Sequence, residues 1–443
     1  MAALLGKNGP MSVAVIIGAG IAGLSAAAAV APRYERVVLV DRDTLPDTAT
    51  PRRGVPQSYH AHILLAAGQR ALEELFPGLG DELVGAGAIR FDPGTDLGLF
   101  RYGAVWQRIE SGLDMVTMTR PLLELTLRRR IAALPNVTVR DGTAIAGLTG
   151  TAERVTGVVL DDGSELPADL VVDSSGRGSR SDRWLGALGV PAPPVDEVKI
   201  GVGYATRLVR RDPGGPADGV GMLVLPTPPM EKRIGLALAV EGDRWLIGLG
   251  GWHGDHAPTD PAGFQRFADG LPDPTVGRVL AEAEPLTDIA SHGFPSSRRR
   301  RFERLRQPPG GYLATGDAIC SFNPIYGQGM TCAAMEAVEL GRLLDRHGTA
   351  SGALVRAFYR VAAQVVNTPW RFAVGADFAF PATVGPRPTN IPLLNRYTIR
   401  LQSVAKVDPV VRRTFTWVQH LVTPPRALFT PAIVARVMRG GPN

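Results

Sequence analysis

Three glycines at the spacing Gly18-x-Gly20-x-x-Gly23 constrain this chain most. The apolar run Val13-Ala-Val-Ile-Ile reads as a strand leading into them, and an Ala-rich helix follows as far as Pro32. A second apolar run, Arg36-Val-Val-Leu-Val, then ends in Asp41. Strand, glycine turn, helix, strand and acid form the βαβ unit that binds an ADP group. Gly18 permits the tight turn, Gly20 lets the backbone approach a pyrophosphate, and Gly23 lets helix and strand pack closely. The helix start offers free N–H groups and partial positive charge to phosphates, and Asp41 can accept from ribose hydroxyls. The same stretch, almost uncharged from Val13 to Ala31, also has the texture of a signal peptide or membrane span. The glycine spacing and the acid-terminated second strand argue against that.

The chain has 443 residues, enough for two or three lobes. With 45% hydrophobic and 20% charged residues it reads as a soluble globular protein. The two cysteines, Cys320 and Cys332, form neither a disulfide framework nor a metal site and suit a reducing cytoplasm, so a cytoplasmic location is expected. Net charge is +6, from 48 basic and 42 acidic residues. The run Arg298–Arg301 lacks interleaved aromatics and any nucleic-acid motif, so it reads as a solvated face or a patch for an anionic cofactor. The first ten residues look like a loose tail.

Two further motifs add to the first. Leu166–Asp173 is an apolar strand running into the turn Ser174-Ser175-Gly176-Arg177-Gly178-Ser179 and a short helix through Trp184. Such a turn brings backbone amides close to a ligand. Gly311–Ala318 is a strand ending in Gly316-Asp317, followed by the rigid loop Asn323-Pro324-Ile-Tyr326-Gly327-Gln328-Gly329-Met330 and a helix over 331–346. Asp317 is placed to bind a polyol, and the helix start to stabilise an anion. Between these motifs, the runs 199–210, 221–225, 233–240 and 244–252 read as an antiparallel meander with a turn at Glu241-Gly242-Asp243. Residues 86–111 are expected to add strands. Alternation offers Tyr204, Met222, Val224, Leu236, Leu238 and Trp252, with Tyr326, as walls of an apolar pocket. Helices are expected at 393–404, 410–422 and 431–439.

Taken together, the glycine turn with Asp41, the Asp173–Ser179 turn and the Gly316–Met330 segment resemble the group A FAD-dependent monooxygenases, the relatives of para-hydroxybenzoate hydroxylase. The resemblance runs from about residue 12 to 345. The segments Arg52–His62 and Thr119-Arg120-Pro121 look most like bacterial flavin epoxidases and hydroxylases that tailor polyketides and terpenoids. The resemblance implies an α/β, Rossmann-like FAD-binding domain over 11–85, 112–190 and 290–375, an antiparallel-sheet substrate domain over 86–111 and 191–289, and a helical region over 376–443.

It implies that Gly18, Gly20, Ala22, Gly23, Asp41 and Arg42 hold the ADP half of FAD. Arg53, His60, Arg120, Asp173, Gly176, Gly316, Asp317, Gly327 and Gln328 complete the FAD site, with Arg120 at the pyrophosphate and Asp317 at the ribityl chain. Pro324, Gly329, Met330 and His62 would flank the reacting ring. It further implies oxygen transfer from a C4a-hydroperoxyflavin to a lipophilic substrate, with O2 and NAD(P)H as co-substrates. Ser175-Gly176 stands where the family carries Asp-Gly, so NADPH is expected to act either directly or through a separate flavin reductase. No base for a phenol is evident in the sheet region, which favours alkene epoxidation over aromatic hydroxylation. Flavin-dependent dehydrogenation or reduction is the competing activity. The Trp-x-Trp-x-Ile-Pro segment of flavin halogenases is missing. Nothing points to a metal, nucleic acid or membrane span, and the oligomeric state is open.

Overall fold

The apolar strands form a parallel sheet because both of its faces are covered. In the computed structural model, which describes residues 12–212, 214–215, 217–348, 351–388 and 391–440, five strands pair in the order Tyr312–Ala314, Leu170–Asp173, Val13–Ile17, Arg36–Val40 and Val137–Arg140. All four pairings are parallel. Ala14–Ile16, Val37–Leu39 and Leu170–Val172 are fully buried, as near-continuous apolar strands require when helices pack on both faces. The expected amino-terminal tail lies outside the described residues.

The helix Ile21–Val30 packs on Gly329–His347, which also packs on Ala66–Leu75 and Gly352–Asp377. Close packing fixes two of the glycines. A Cβ on Gly23 would lie 1.7 Å from the Gly18 carbonyl oxygen, and one on Gly18, whose φ is +98°, would lie 2.7 Å from that of Ser174.

The second sheet has eight strands, in the order Cys320–Ser321, Ala290–Arg300, Val195–Arg210, Arg244–Gly251, Arg233–Val240, Gly221–Val224, Leu97–Arg101 and Ala104–Val105. Two expectations change here. The sheet is mixed, since Gly221–Val224 pairs parallel with Leu97–Arg101. Ala290–Arg300, read from sequence with the nucleotide-binding part, pairs instead with Val195–Arg210.

The arginine run within that strand is not a solvated face. Arg299 and Arg300 are each 2% exposed, and Arg300 donates to the carbonyls of Ala318 (3.0 Å) and Ser179 (3.2 Å), tying both ligand-side turns to the large sheet. Cys320 sits on a strand and Cys332 on a helix; both are buried and free.

The carboxy-terminal helices Ile391–Ala405, Pro409–Gln419 and Pro431–Arg439 form a third apolar cluster around Trp106, with Leu401, Val411 and Phe415. Among the described residues no helix is long and apolar enough to cross a membrane.

Candidate active site

One cavity of about 1130 Å³ runs from the glycine turn, past the Pro324 loop, to the large sheet and the carboxy-terminal helices. That exceeds the usual range for one drug-sized ligand, about 300–1,000 Å³. Its nucleotide end is built by two helix starts. Gly20 caps Ile21–Val30, and a Cβ there would find nothing nearer than Arg120 Nη2 at 3.8 Å, with Arg52 Nη2 and Glu124 Oε1 each at 3.9 Å. This is open space at a positive helix end, faced by two guanidinium groups and the Glu124 carboxylate that pairs with both, an arrangement that fits a pyrophosphate. Arg120 is placed by its own helix start. Thr119 caps Arg120–Ala132 by accepting from the Leu122 N–H, Pro121 occupies the first turn, and Glu124 Oε1 accepts from Arg120 Nε at 2.8 Å.

Asp41 lines this end, but both its oxygens are in use. They accept from the N–H groups of Ala19 (2.6 Å) and Asp43 (2.9 Å), and each lies 3.1 Å from Arg52 Nη1. Arg52 also contacts Asp43 at 2.9 Å and Glu124 at 3.5 Å. A ribose hydroxyl bound here would share Asp41 with Arg52, an arginine that nothing in its local sequence marks. Its neighbour Arg53, named in its place, is exposed and off the cavity wall. The two are alike in sequence, and only the turn decides which points inward. Arg42 and Ala22 line the cavity as expected.

Two other expected contacts are structural. Asp173 is fully buried, and its carboxylate accepts from Ser175 Oγ (2.5 Å), Ser179 Oγ (2.6 Å) and Tyr312 OH (2.9 Å), so it builds the turn and does not line the cavity. Gly316 (φ +61°) lies behind the wall, where a Cβ would meet that of Ala22 at 2.9 Å. Gly176 does line the cavity. Next to it Arg177 stacks over Phe294 at 4.7 Å and donates to Ser296 and Ser321.

At the other helix start, Gly327 (φ +64°), Gln328, Gly329 and Met330 line the cavity with Pro324 and Asp317. Asp317 has no hydrogen-bond donor among the described residues. Burial raises its pKa, against the pull of Arg120 and Arg177. Gln328 Oε1 is buried without a partner. Behind them Glu336 Oε2 accepts from Thr315 Oγ1 and the Gly316 N–H, both at 2.7 Å, and burial pushes this carboxyl up to about 7. A carboxylate and a carboxamide oxygen left without donors, an open cradle at Gly20 and two free helix starts fit FAD.

Both histidines line the cavity, as expected. His62 Nδ1 bonds the His60 carbonyl (2.8 Å) and its Nε2 lies 3.3 Å from Arg120 Nη1. Burial, then the Arg120 charge, lowers its pKa to about 3, so it stays neutral and orients Arg120. His60 Nδ1 bonds Thr206 Oγ1 (2.8 Å), while its Nε2 is buried without a partner. His60, Tyr204 and His292 cluster on the cavity wall, with ring centroids 4.6–6.0 Å apart, and burial lowers His60 to about 4. His292 was missed because nothing in its local sequence marks it.

Along the large sheet, Tyr204, Leu236 and Trp252 line the cavity, whereas Met222, Val224 and Leu238 do not. Met222 and Val224 pack in the core on the other face. Leu223 pairs with Leu236, and Leu236 with Gly248, so Leu223, Leu225 and Gly248 share the cavity face. The strand 221–225 thus carries the opposite phase to the one expected, with Leu223 and Leu225 rather than Met222 and Val224 toward the cavity. Trp252 and Tyr326 also converge on a residue the sequence reading did not single out. Asp377 Oδ1 accepts from Trp252 Nε1 (3.1 Å), Asn323 Nδ2 (2.8 Å) and Tyr326 OH (3.1 Å).

No protein-family model matches the chain. It is 33% identical to Protein Rv3254 of Mycobacterium tuberculosis over 425 residues, covering 92% of this chain and 89% of that one. Among solved structures it is similar to pqsL, "a probable FAD-dependent monooxygenase" from Pseudomonas aeruginosa. The TM-score is 0.62 at 19% identity, over 83% of this chain and 97% of that one. It is also similar to 2-methyl-3-hydroxypyridine-5-carboxylic acid oxygenase, with a TM-score of 0.63 at 20% identity over 97% and 96% of the two chains. The chain belongs to one family with Protein Rv3254, and its fold is that of the para-hydroxybenzoate hydroxylase-like, group A FAD-dependent monooxygenases.

Proposed function

We propose that this chain is an FAD-dependent monooxygenase that places one oxygen atom of O2 on a lipophilic natural-product intermediate, with alkene epoxidation of a polyketide or terpenoid as the reaction. One observation carries the reading: a single cavity joins the glycine turn to a largely apolar compartment, with the Pro324–Met330 loop between them. FAD, reduced by NAD(P)H directly or through a separate flavin reductase, supplies the activated oxygen when bound. The chain's residues do the rest. Arg120, held by Glu124 and His62, neutralises the pyrophosphate. The N–H groups at Gly329 and Met330, at a positive helix start, would stabilise negative charge on the bound ring. Leu223, Leu225, Leu236 and Trp252 hold the substrate and keep water out, and Gly248 leaves room for it.

Aromatic hydroxylation is the second reading, favoured by the histidine cluster. His60 offers an unpartnered Nε2 on the cavity wall that can accept a hydrogen bond from a phenol hydroxyl and orient the ring, although burial, which lowers its pKa to about 4, makes it a weak base for full proton removal. The test is a single turnover. The FAD-loaded protein is reduced without air and mixed with isotopically labelled dioxygen and a panel of polyenes and phenols. A product heavier by one labelled oxygen is expected, as an epoxide or its diol from a polyene. Labelled phenol products alone select hydroxylation. A product changed by two hydrogens and carrying no label refutes oxygen transfer and selects the dehydrogenase or reductase activity.

A further inference from the structure

The strand Leu97–Arg101 borders the cavity with one face. Leu97, Leu99 and Arg101, at alternate positions, all line it. Leu99 pairs with Leu223, and Leu223 with Leu236, so an apolar track crosses three strands and ends along its first strand in a guanidinium. Arg101 Nη1 donates to Gln402 Oε1 at 2.7 Å, but its Nε is buried without a partner. A second cation that lines the cavity lies on the helix Pro409–Gln419. Arg412 is 5% exposed, lines the same cavity, and has its guanidinium 4.5 Å over the Trp106 ring. Trp106 links the two, since its Nε1 donates to the Arg101 carbonyl at 3.2 Å.

Arg412 makes no side-chain hydrogen bond or ion pair among the described residues, and its Nε is orphaned. The acid nearest in influence, Asp92, has both oxygens filled by the N–H groups of Gly94, Ser111 and Gly112. The carboxylates that line the cavity, Asp41 and Asp317, both belong to the nucleotide end. Asp92 supplies a negative field but no contact, and a buried guanidinium with no acceptor in contact is costly; a ring face offsets only part of that cost. Packing against Trp106 alone would be served better by an apolar side chain.

We infer that Arg101 and Arg412 form an anion-recognition site for the substrate, whose apolar body lies along Leu99, Leu223 and Leu236 and whose end carries a carboxylate or a phosphate ester. This rests on the reading of the cavity as a substrate site and narrows it from a greasy molecule to an amphipathic anion. The planar guanidinium fork suits either oxyanion.

Calorimetric titration of the FAD-loaded protein with dodecanoate, dodecyl phosphate and 1-dodecanol, all below their micelle concentrations, tests it. At least one anion is expected to bind about tenfold or more tighter than the alcohol. The preferred anion identifies the headgroup. Arg412→Met is expected to abolish the preference and leave alcohol affinity unchanged, and Arg412→Lys to keep part of it. Flavin content and melting temperature verify folding. If Arg412→Met does not fold, Arg101→Met reads the same preference. Equal affinity for all three probes, no binding of either anion, or a preference that survives in the folded variants overturns the inference. Because this assay needs no oxygen chemistry, a missing oxygenated product alongside an intact preference counts against monooxygenation alone.

Discussion

Asp377 makes a pH-dependent prediction that the structure allows to be worked through. Its Oδ1 accepts three hydrogen bonds, from Trp252, Asn323 and Tyr326, while Oδ2 has no partner. Burial pushes its pKa up to about 6 from 3.8, against the three donors. Below pH 3.8 the carboxyl is protonated folded or unfolded, and contributes no pH dependence. Between 3.8 and 6 the unfolded chain releases the proton that the folded one keeps, so the folded state loses relative stability as pH rises. Above 6 the full penalty stands. At about 1.4 kcal/mol per unit, a shift of roughly two units amounts to about 3 kcal/mol. Asp377→Asn keeps a carbonyl oxygen for the same donors and removes the charge. At an unfolding entropy of about 2 cal/mol/K per residue, its melting temperature should match wild type near pH 4 and exceed it by about 3 °C at pH 8. Scanning calorimetry of both FAD-loaded proteins from pH 4 to 8 measures the gap. A gap independent of pH, or a variant less stable at pH 8 than at pH 4 relative to wild type, refutes the reasoning.

Gly20→Ala should fold, with an apoprotein melting temperature within about 1 °C of wild type, yet bind FAD at least about tenfold more weakly, because its methyl group enters the phosphate cradle. Gly23→Ala, whose methyl group meets a backbone oxygen at 1.7 Å, should give no stable flavoprotein at all; soluble yield and flavin absorbance separate the two outcomes. Leu223→Ala should change the ratio of products across a substrate panel with flavin content intact, whereas Met222→Ala should cost about 2–5 kcal/mol of stability and leave that ratio alone. Glu336→Ala strands the buried Thr315 hydroxyl and Gly316 N–H, so it should lower stability by about 2–4 kcal/mol and weaken FAD binding measured by fluorescence quenching, while Glu336→Gln keeps the acceptor and stays near wild type.

The parallel sheet and its glycine turn could be read from sequence because their physics is local. A strand buried on both faces is a plain apolar run, and a close approach of backbone to backbone admits only glycine. The strand ends holding Asp317 and the Pro324 loop were legible for the same reason. What sequence did not reveal depends on partners far along the chain. Arg52 and Arg53 differ in no local property, and the turn alone sends Arg52 inward. The phase of 221–225 rests on the pairing of Leu223 with Leu236, since both faces of that short strand are apolar. The arginine run looked solvated until strand pairing with Val195–Arg210 and the turns at Ser179 and Ala318 enclosed two of its members. Asp377 gave no signal, because its three donors lie 51–125 residues away.

The helices after residue 391 supply Tyr397, Gln402, Arg412, Phe415 and Leu428 to the cavity, while the turns that would seat FAD all lie before residue 331. Substitutions in this last stretch can therefore retune which molecule is accepted without disturbing the redox machinery. Swapping that segment between relatives is a route to new selectivity at constant chemistry, and divergence among family members in what they act on should concentrate there.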